Sequence, residues 1–316
     1  MIPGKETDKM ADLGKKPSWG RTLAIQAALC LALYAAFNIG RPQAPRDARL
    51  QSMLRRKSLD LYFLSVRGGL RSPREQAQLL HKMERAAKIY KAKFVVNIGE
   101  LGEDDPLLRN LVSMVVPLQA TLHFPLLEIP WYTTPVSQGQ VNGNFLRKIR
   151  IPHGQILDII AVDTGPLKNL SPVEQVSKIG SNQLHWIKGT LAATNSNWRI
   201  VIGFDPLIVC GEKLVKFYEP LHHIFLEFGV NAYLSKQGCA GSYYHDEGIG
   251  YIGNAGPADE AHGAFSANGN SKIFSEMHKG FLLHRVNPLE IESFFIDSTG
   301  KVVFKSTIRQ HGREAI

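Results

Sequence analysis

Leu61-Tyr-Phe-Leu-Ser-Val-Arg67-Gly-Gly69 decides how the rest of the chain is read. A short apolar run ending at a Gly-Gly turn has the length and composition of a buried strand. Over Ser72–Ala92 the apolar residues Ala77, Leu80, Met83, Ala87 and Tyr90 recur near the helical period, so a helix follows. Phe94-Val-Val-Asn-Ile98 is a second short strand, stopped by Gly99. Strand, helix and strand in this order point to a central α/β region.

Further along, Leu157–Val162, Arg199–Ile202 and Asn231–Leu234 read as short apolar strands. Val173–Leu191 precedes the second of them and Lys213–Glu227 the third, each as a helical or loop segment. Tyr251–Gly256 reads as a strand entering a glycine turn. Ile291–Asp297 and Lys301–Ile308, around Ser298-Thr-Gly300, form a hairpin by their turn chemistry. The centre is thus α/β and its margins antiparallel.

The 316 residues, 44% apolar and 21% charged, have ordinary globular composition without short repeats, which excludes solenoids and propellers. The 37 basic residues outnumber 28 acidic ones, for a net charge of +9. Arg41, Arg46, Arg49, Arg55, Arg56 and Lys57 concentrate part of that excess. No RNP, zinc-finger or helix-turn-helix signal accompanies it, so no nucleic-acid partner is expected. A cluster facing anionic headgroups is the more economical reading, because an uncharged run, residues 22–40, precedes it. At about 1.5 Å per residue that run spans about 28 Å, close to a bilayer core. A cleaved signal peptide and a buried helix are the alternatives. The expected organisation is a polar tail (1–21), a single-pass membrane anchor (22–40), a basic tether (41–57) and a folded domain (58–316). Basic residues flank the run on both sides, so orientation stays open. Three cysteines make no disulfide framework; Cys210 and Cys239 are one conceivable pair, and Asn169 heads one glycosylation sequon.

Block by block, Leu61–Gly69, Phe94–Glu100, Trp131-Tyr132, Ile160–Thr164, Trp198–Phe204 and Val230–Cys239 resemble the plant-type, low-molecular-weight purple acid phosphatases of the calcineurin-like metallophosphoesterase superfamily. The resemblance runs from about residue 59 to 308. It implies a four-layer α/β/β/α sandwich, here preceded by one N-terminal transmembrane helix. That family carries G-D-x-G, G-D-x-x-Y, G-N-H-[DE], a G-H-H-like histidine and G-H-x-H at its strand ends. There they hold two metals that activate water against a phosphoester.

In this chain those letters are overwritten. Arg67 matches the first aspartate, and a guanidinium repels a cation rather than binding it. Glu100 matches the bridging aspartate and Glu103 the colour-giving tyrosine. Ser137 and Gln138 replace the asparagine and histidine of the third block. Phe204 stands where an imidazole belongs, with Asp205 beside it, and Gln237 and Cys239 replace the last two histidines. Too few hard donors remain for a dinuclear centre, so the expectation is no metal, no cofactor and no catalytic residue. Further candidates have plainer readings. His222-His223 belongs to a helix, His245-Asp246-Glu247 to a Gly- and Tyr-rich turn, and Asp163-Thr164 to a hydrogen-bonding turn at a strand end.

The function expected is an inactive, membrane-tethered phosphatase-like domain that binds a protein partner or an anionic ligand. The alternative is a phosphoester hydrolase with a non-standard metal set from Glu100, Asp205, His245 and Asp246. A third reading is a domain kept only for its folded surface. Arg67 and Glu100, at adjacent strand ends in the resembled fold, are expected to pair.

Overall fold

The computed structural model describes residues 19–39, 60–115, 125–136, 143–167, 178–210, 215–238, 243–256 and 280–310. The chain divides into two compact units, Met1–Arg56 and Lys57–Ile316.

In the first unit, Trp19–Ile39 forms a helix of 21 residues. Leu23, Ile25, Leu29, Leu31 and Leu33 are exposed and, at 3.6 residues per turn, are distributed around it. Among the described residues no helix is long and apolar enough to cross a membrane. Residues 22–39 of the expected span lie in this helix, whose side chains are described only in part, and residue 40 lies outside the described residues. The basic tether lies outside the described residues.

In the second unit the strands are β1 (Leu61–Arg67), β2 (Val95–Ile98), β3 (Trp131–Thr133), β4 (Phe145–Arg150), β5 (Ile156–Ala161), β6 (Trp198–Ile202) and β7 (Ile208–Cys210). After them come β8 (Val215–Phe217), β9 (Ala232–Lys236), β10 (Tyr243–Asp246), β11 (Ile249–Asn254), β12 (Phe281–Val286), β13 (Glu290–Ile296) and β14 (Val302–Arg309). Among the described residues they make two six-stranded sheets, ordered β14-β13-β12-β1-β2-β3 and β10-β11-β9-β6-β5-β4, and a small β7-β8 pair. β1-β2-β3 are parallel, as are β5-β6-β9-β11, while the remaining pairings of the two sheets are antiparallel. The expected hairpin at the C-terminal end is the β13–β14 pair.

Strand periodicity explains the layers. Leu61 and Phe63 of β1 face the second sheet and pack with Leu157, Ile159, Trp198 and Ile200. Leu64 and Val66 face the other way, onto Leu79, Leu80 and Met83 of the helix Pro73–Tyr90. That helix starts at Ser72, whose Oγ accepts from the Glu75 amide, and stops at left-handed Lys91. On the far side, Ile160 and Val201 pack on Ile187 and Leu191 of the helix Lys178–Ala192 and on Phe225 of the helix Glu219–Glu227.

Two local readings change. Within the segment read as helix or loop before Asn231, Val215–Phe217 is a strand paired with β7, and the helix begins only at Glu219. Lys216 and Val215 gain ladder partners there that a helix start would not offer. His245 and Asp246 belong to β10 rather than to a turn; Glu247-Gly248, both with positive φ, make the two-residue turn into β11.

A polar chain crosses the apolar interface between the sheets. The Asn254 amide donates to the Ser235 carbonyl (3.1 Å), and Ser65 donates to Asn254 Oδ1 (2.7 Å). Having spent its proton, the Ser65 hydroxyl accepts from His284 Nε2 (2.8 Å), which leaves Nδ1 to accept from Ser293 (2.7 Å). The His284 ring stacks on Phe63 at 4.4 Å. Burial pushes its imidazole down from 6.5 to about 3. The unfolded chain therefore takes up this proton before the folded one does. Stability from this group is complete above the ordinary histidine value and is lost as pH falls from 6.5 towards 3. The expected slope is up to about 1.4 kcal/mol per pH unit. Urea denaturation across that range checks it, and His284→Gln should flatten the dependence.

Candidate binding site at the strand ends

The C-terminal ends of β1, β2, β6 and β9 converge, and the parity that builds the core continues through them. Phe63, Ser65 and Arg67 share the inner face of β1. Ile200, Ile202 and Phe204 share that of β6, and Ala232, Leu234 and Lys236 that of β9. Three side chains with no obvious relation in sequence therefore meet. The Arg67 guanidinium carbon lies 4.5 Å from the centroid of Phe204, and the Lys236 ammonium lies 4.5 Å from the same centroid. The π-face supplies partial negative charge to both cations.

Arg67 is 2% exposed, and its Nη1 donates to the Ile98 carbonyl at 3.0 Å. Lys236 Nζ stands 3.3 Å from Asp205 Oδ1. Asp205 is held in turn: its amide donates to Thr164 Oγ1 (3.0 Å), that hydroxyl approaches Asp205 Oδ2 (3.3 Å), and Tyr233 donates to its carbonyl (2.6 Å). Gly203 is required at this crossing, because a Cβ there would lie 2.4 Å from the Tyr233 hydroxyl oxygen. Burial, then the Asp205 charge, pushes the Tyr233 phenol well above its usual range, so it remains a donor.

Asp105 is the residue that sequence reasoning passed over. It is 1% exposed, and its carboxylate receives the amides of Gly69 (3.0 and 3.1 Å) and Leu107 (2.9 Å). It caps the helix Pro106–Val115 and ties that helix to the turn after β1. A Cβ on Gly68 would lie 2.2 Å from Asp105 Oδ2. The signal was present: aspartate followed by proline is a helix-start signature.

The expected positions divide as follows. Arg67, Phe204 and Asp205 come together around Lys236. Gln237 follows β9 and its amide donates to the Asn254 carbonyl at 2.9 Å. Glu100 and Glu103 are exposed, in and beside the short turn Gly102–Asp104. The expected Arg67–Glu100 pair is not formed among the described residues. Arg67 turns inward with strand parity to the Ile98 carbonyl and Phe204, whereas Glu100 lies past the end of β2 and stays in water. Ser137, Gln138 and Cys239 lie outside the described residues, as does Asn169. Asp163 and Thr164 do form a hydrogen-bonding turn, with Asp163 Oδ1 accepting from Gly165 at 2.9 Å. His222 is buried in its helix, 2.5 Å from the Tyr251 hydroxyl and 3.6 Å from Asp246; His223 is exposed beside Glu219.

Chemically, the described part of this site supplies two cations, an aromatic ring and two carboxylates, Asp205 facing an ammonium and Asp105 held by backbone amides. Among the described residues no group of three or more His, Cys, Asp or Glu side chains is placed to hold a metal. The described residues alone do not supply the donors of a dinuclear metal centre.

Comparison with known proteins agrees with the architecture. The chain is 29% identical to tartrate-resistant acid phosphatase type 5 of Mus musculus over 148 residues, which is 43% of this chain and 44% of that protein. The Homo sapiens protein of the same name is 28% identical over 149 residues. The chain thus spans less than half the length of these curated relatives. A solved structure described as GAP50, the anchor in the inner membrane complex of Plasmodium, superposes with a TM-score of 0.57 at 18% identity. That match covers 81% of this chain and 91% of the other. No family model matches. Distant homology to purple acid phosphatases and a shared fold support a domain of the metallophosphoesterase superfamily.

Asp105→Ala removes the acceptor of two backbone donors together with a helix cap. It should cost about 2–3 kcal/mol in urea denaturation. Asp105→Asn, which keeps one acceptor oxygen, should cost roughly half as much.

Proposed function

We propose that this chain is a phosphoesterase-type domain that binds rather than hydrolyses. The observation carrying the reading is the cation–aromatic cluster of Arg67, Phe204 and Lys236 where the resembled family gathers metal ligands. A dinuclear centre requires anionic or neutral donors facing two metal ions. Here a guanidinium that cannot lose its proton occupies one such strand end. An ammonium stands against Asp205, a carboxylate that could have served a metal. The two fixed cations take over part of the positive charge that metals bring to this fold. The occupant of choice is therefore an anionic group presented by a partner or a small ligand.

Residues 22–40 are proposed to tether the domain to a membrane. The uncharged run and the exposed apolar side chains of its helix support this, because apolar surface left in water is unfavourable. A protein of the same fold is described as an anchor in a membrane complex, which suits a binding role.

Purified full-length protein should contain well under one iron, zinc or manganese atom per chain by elemental analysis. It should also leave p-nitrophenyl phosphate at the background hydrolysis rate when these metals are added. Close to two metal atoms per chain, or metal-dependent turnover, would overturn the reading. In cells the chain should stay in the membrane pellet through carbonate extraction; recovery in the supernatant would remove the tether.

A further inference from the structure

The second sheet carries a cleft at the opposite ends of its strands from the cation cluster. It opens where β6 and β9 begin, between the ends of the helices Lys178–Ala192 and Glu219–Glu227, and holds about 590 Å³. Small-molecule sites fall in this range of size.

Its wall is rigid. Arg199 clamps both helix ends, with Nη1 donating to the Phe228 carbonyl (2.6 Å), Nη2 to the Thr194 carbonyl (2.8 Å) and Nε to Thr194 Oγ1 (3.1 Å). Two asparagines lining the cleft are fixed at one end. Asn197 Oδ1 accepts from the Ile156 amide (3.0 Å), and Asn231 Oδ1 accepts from the Arg199 amide (2.8 Å). With each oxygen held by a backbone donor, each NH2 end is oriented without being used by those bonds. Gln310 shows the reverse polarity: its Nε2 donates to the Asn197 carbonyl (3.0 Å), which leaves the oxygen as acceptor. Ser196 also lines the cleft. It is 3% exposed, and its hydroxyl has no hydrogen-bond partner among the described residues.

A buried hydroxyl without a partner is costly unless a ligand or water completes it. The groups that line this cleft include both donors and acceptors and are mostly uncharged. At the rim the Glu227 carboxylate is paired with Lys188 (3.0 Å) and the Glu247 carboxylate is exposed. The Arg199 guanidinium is taken up by backbone carbonyls, so among the described lining groups no cation is left over for an anion. Half-buried Phe228 adds an apolar face. Each hydroxyl of a polyol both donates and accepts, so a neutral ring carrying adjacent hydroxyls matches this pattern better than phosphate, an anion rich in acceptors.

We propose that this cleft is a binding site for a short neutral saccharide, read by the amide ends of Asn197 and Asn231, the oxygen of Gln310 and the hydroxyl of Ser196. The site stands independently of the proposed loss of metal chemistry.

Isothermal titration of the full-length chain with glucose, mannose, galactose and N-acetylglucosamine tests this, with inorganic phosphate as the anionic probe. At least one saccharide should bind saturably in the millimolar range. Asn197→Asp and Asn231→Asp keep the oxygen that holds the backbone amide and replace only the donating end. Each should weaken saccharide binding at least about tenfold, with thermal unfolding showing that the variants fold. Ser196→Ala should weaken it as well. The proposal is overturned if none of the four sugars binds, if phosphate binds in their place, or if the folded asparagine variants retain full affinity.

Discussion

Two sheets packed face to face leave an inner space that water does not enter, and every second residue of each central strand is committed to it. Phe63, Ile159, Trp198 and Ile200 fill it with apolar surface, the dominant favourable term in such a fold. The same alternation also carries polar residues inward. Ser65, His284 and Arg67 are each nearly inaccessible, and a buried polar group is tolerated only when bonded. The serine–histidine–asparagine chain and the Arg67–Phe204–Lys236 cluster are both answers to that demand.

Those answers differ in consequence. The chain through His284 consists of neutral groups that pass one proton polarity from strand to strand, so it links the sheets without burying charge. The cluster around Phe204 does bury charge. Its guanidinium meets a carbonyl and a π-face, and its ammonium meets a carboxylate at the edge of water. Removing a partner from such an arrangement costs far more than the arrangement itself contributes. It can therefore persist as a fixed positive centre at the end of the sheet, and this is the physical basis for reading the site as a place of binding.

Much of this was legible in the residues. The periodicities of Leu61–Val66, Ala77–Tyr90 and Phe94–Ile98 specify strand, helix and strand, and the Ser298-Thr-Gly300 turn specifies the β13–β14 hairpin. Arg67 and Phe204 stood out because their chemistry disagrees with the motifs that the resemblance assigns to their positions. Strand β8 was hidden inside a segment with helical composition, since three residues are too few to show a strand period and only pairing with β7 defines them. Lys236 was hidden because a lysine after an apolar run is ordinarily a solvated strand end.

The sequence by itself determined the order of elements and the α/β class with antiparallel margins, because these depend on local period and residue chemistry alone. Tertiary structure decided which charges meet. Arg67 and Glu100 look like natural partners on paper, yet strand parity turns one into the interface, while the other lies past its strand's end in water. Lys236 and the cleft around Ser196 likewise appear only when distant strands and helix ends converge. Contacts of that kind are set by packing across the sheets, and no local pattern encodes them.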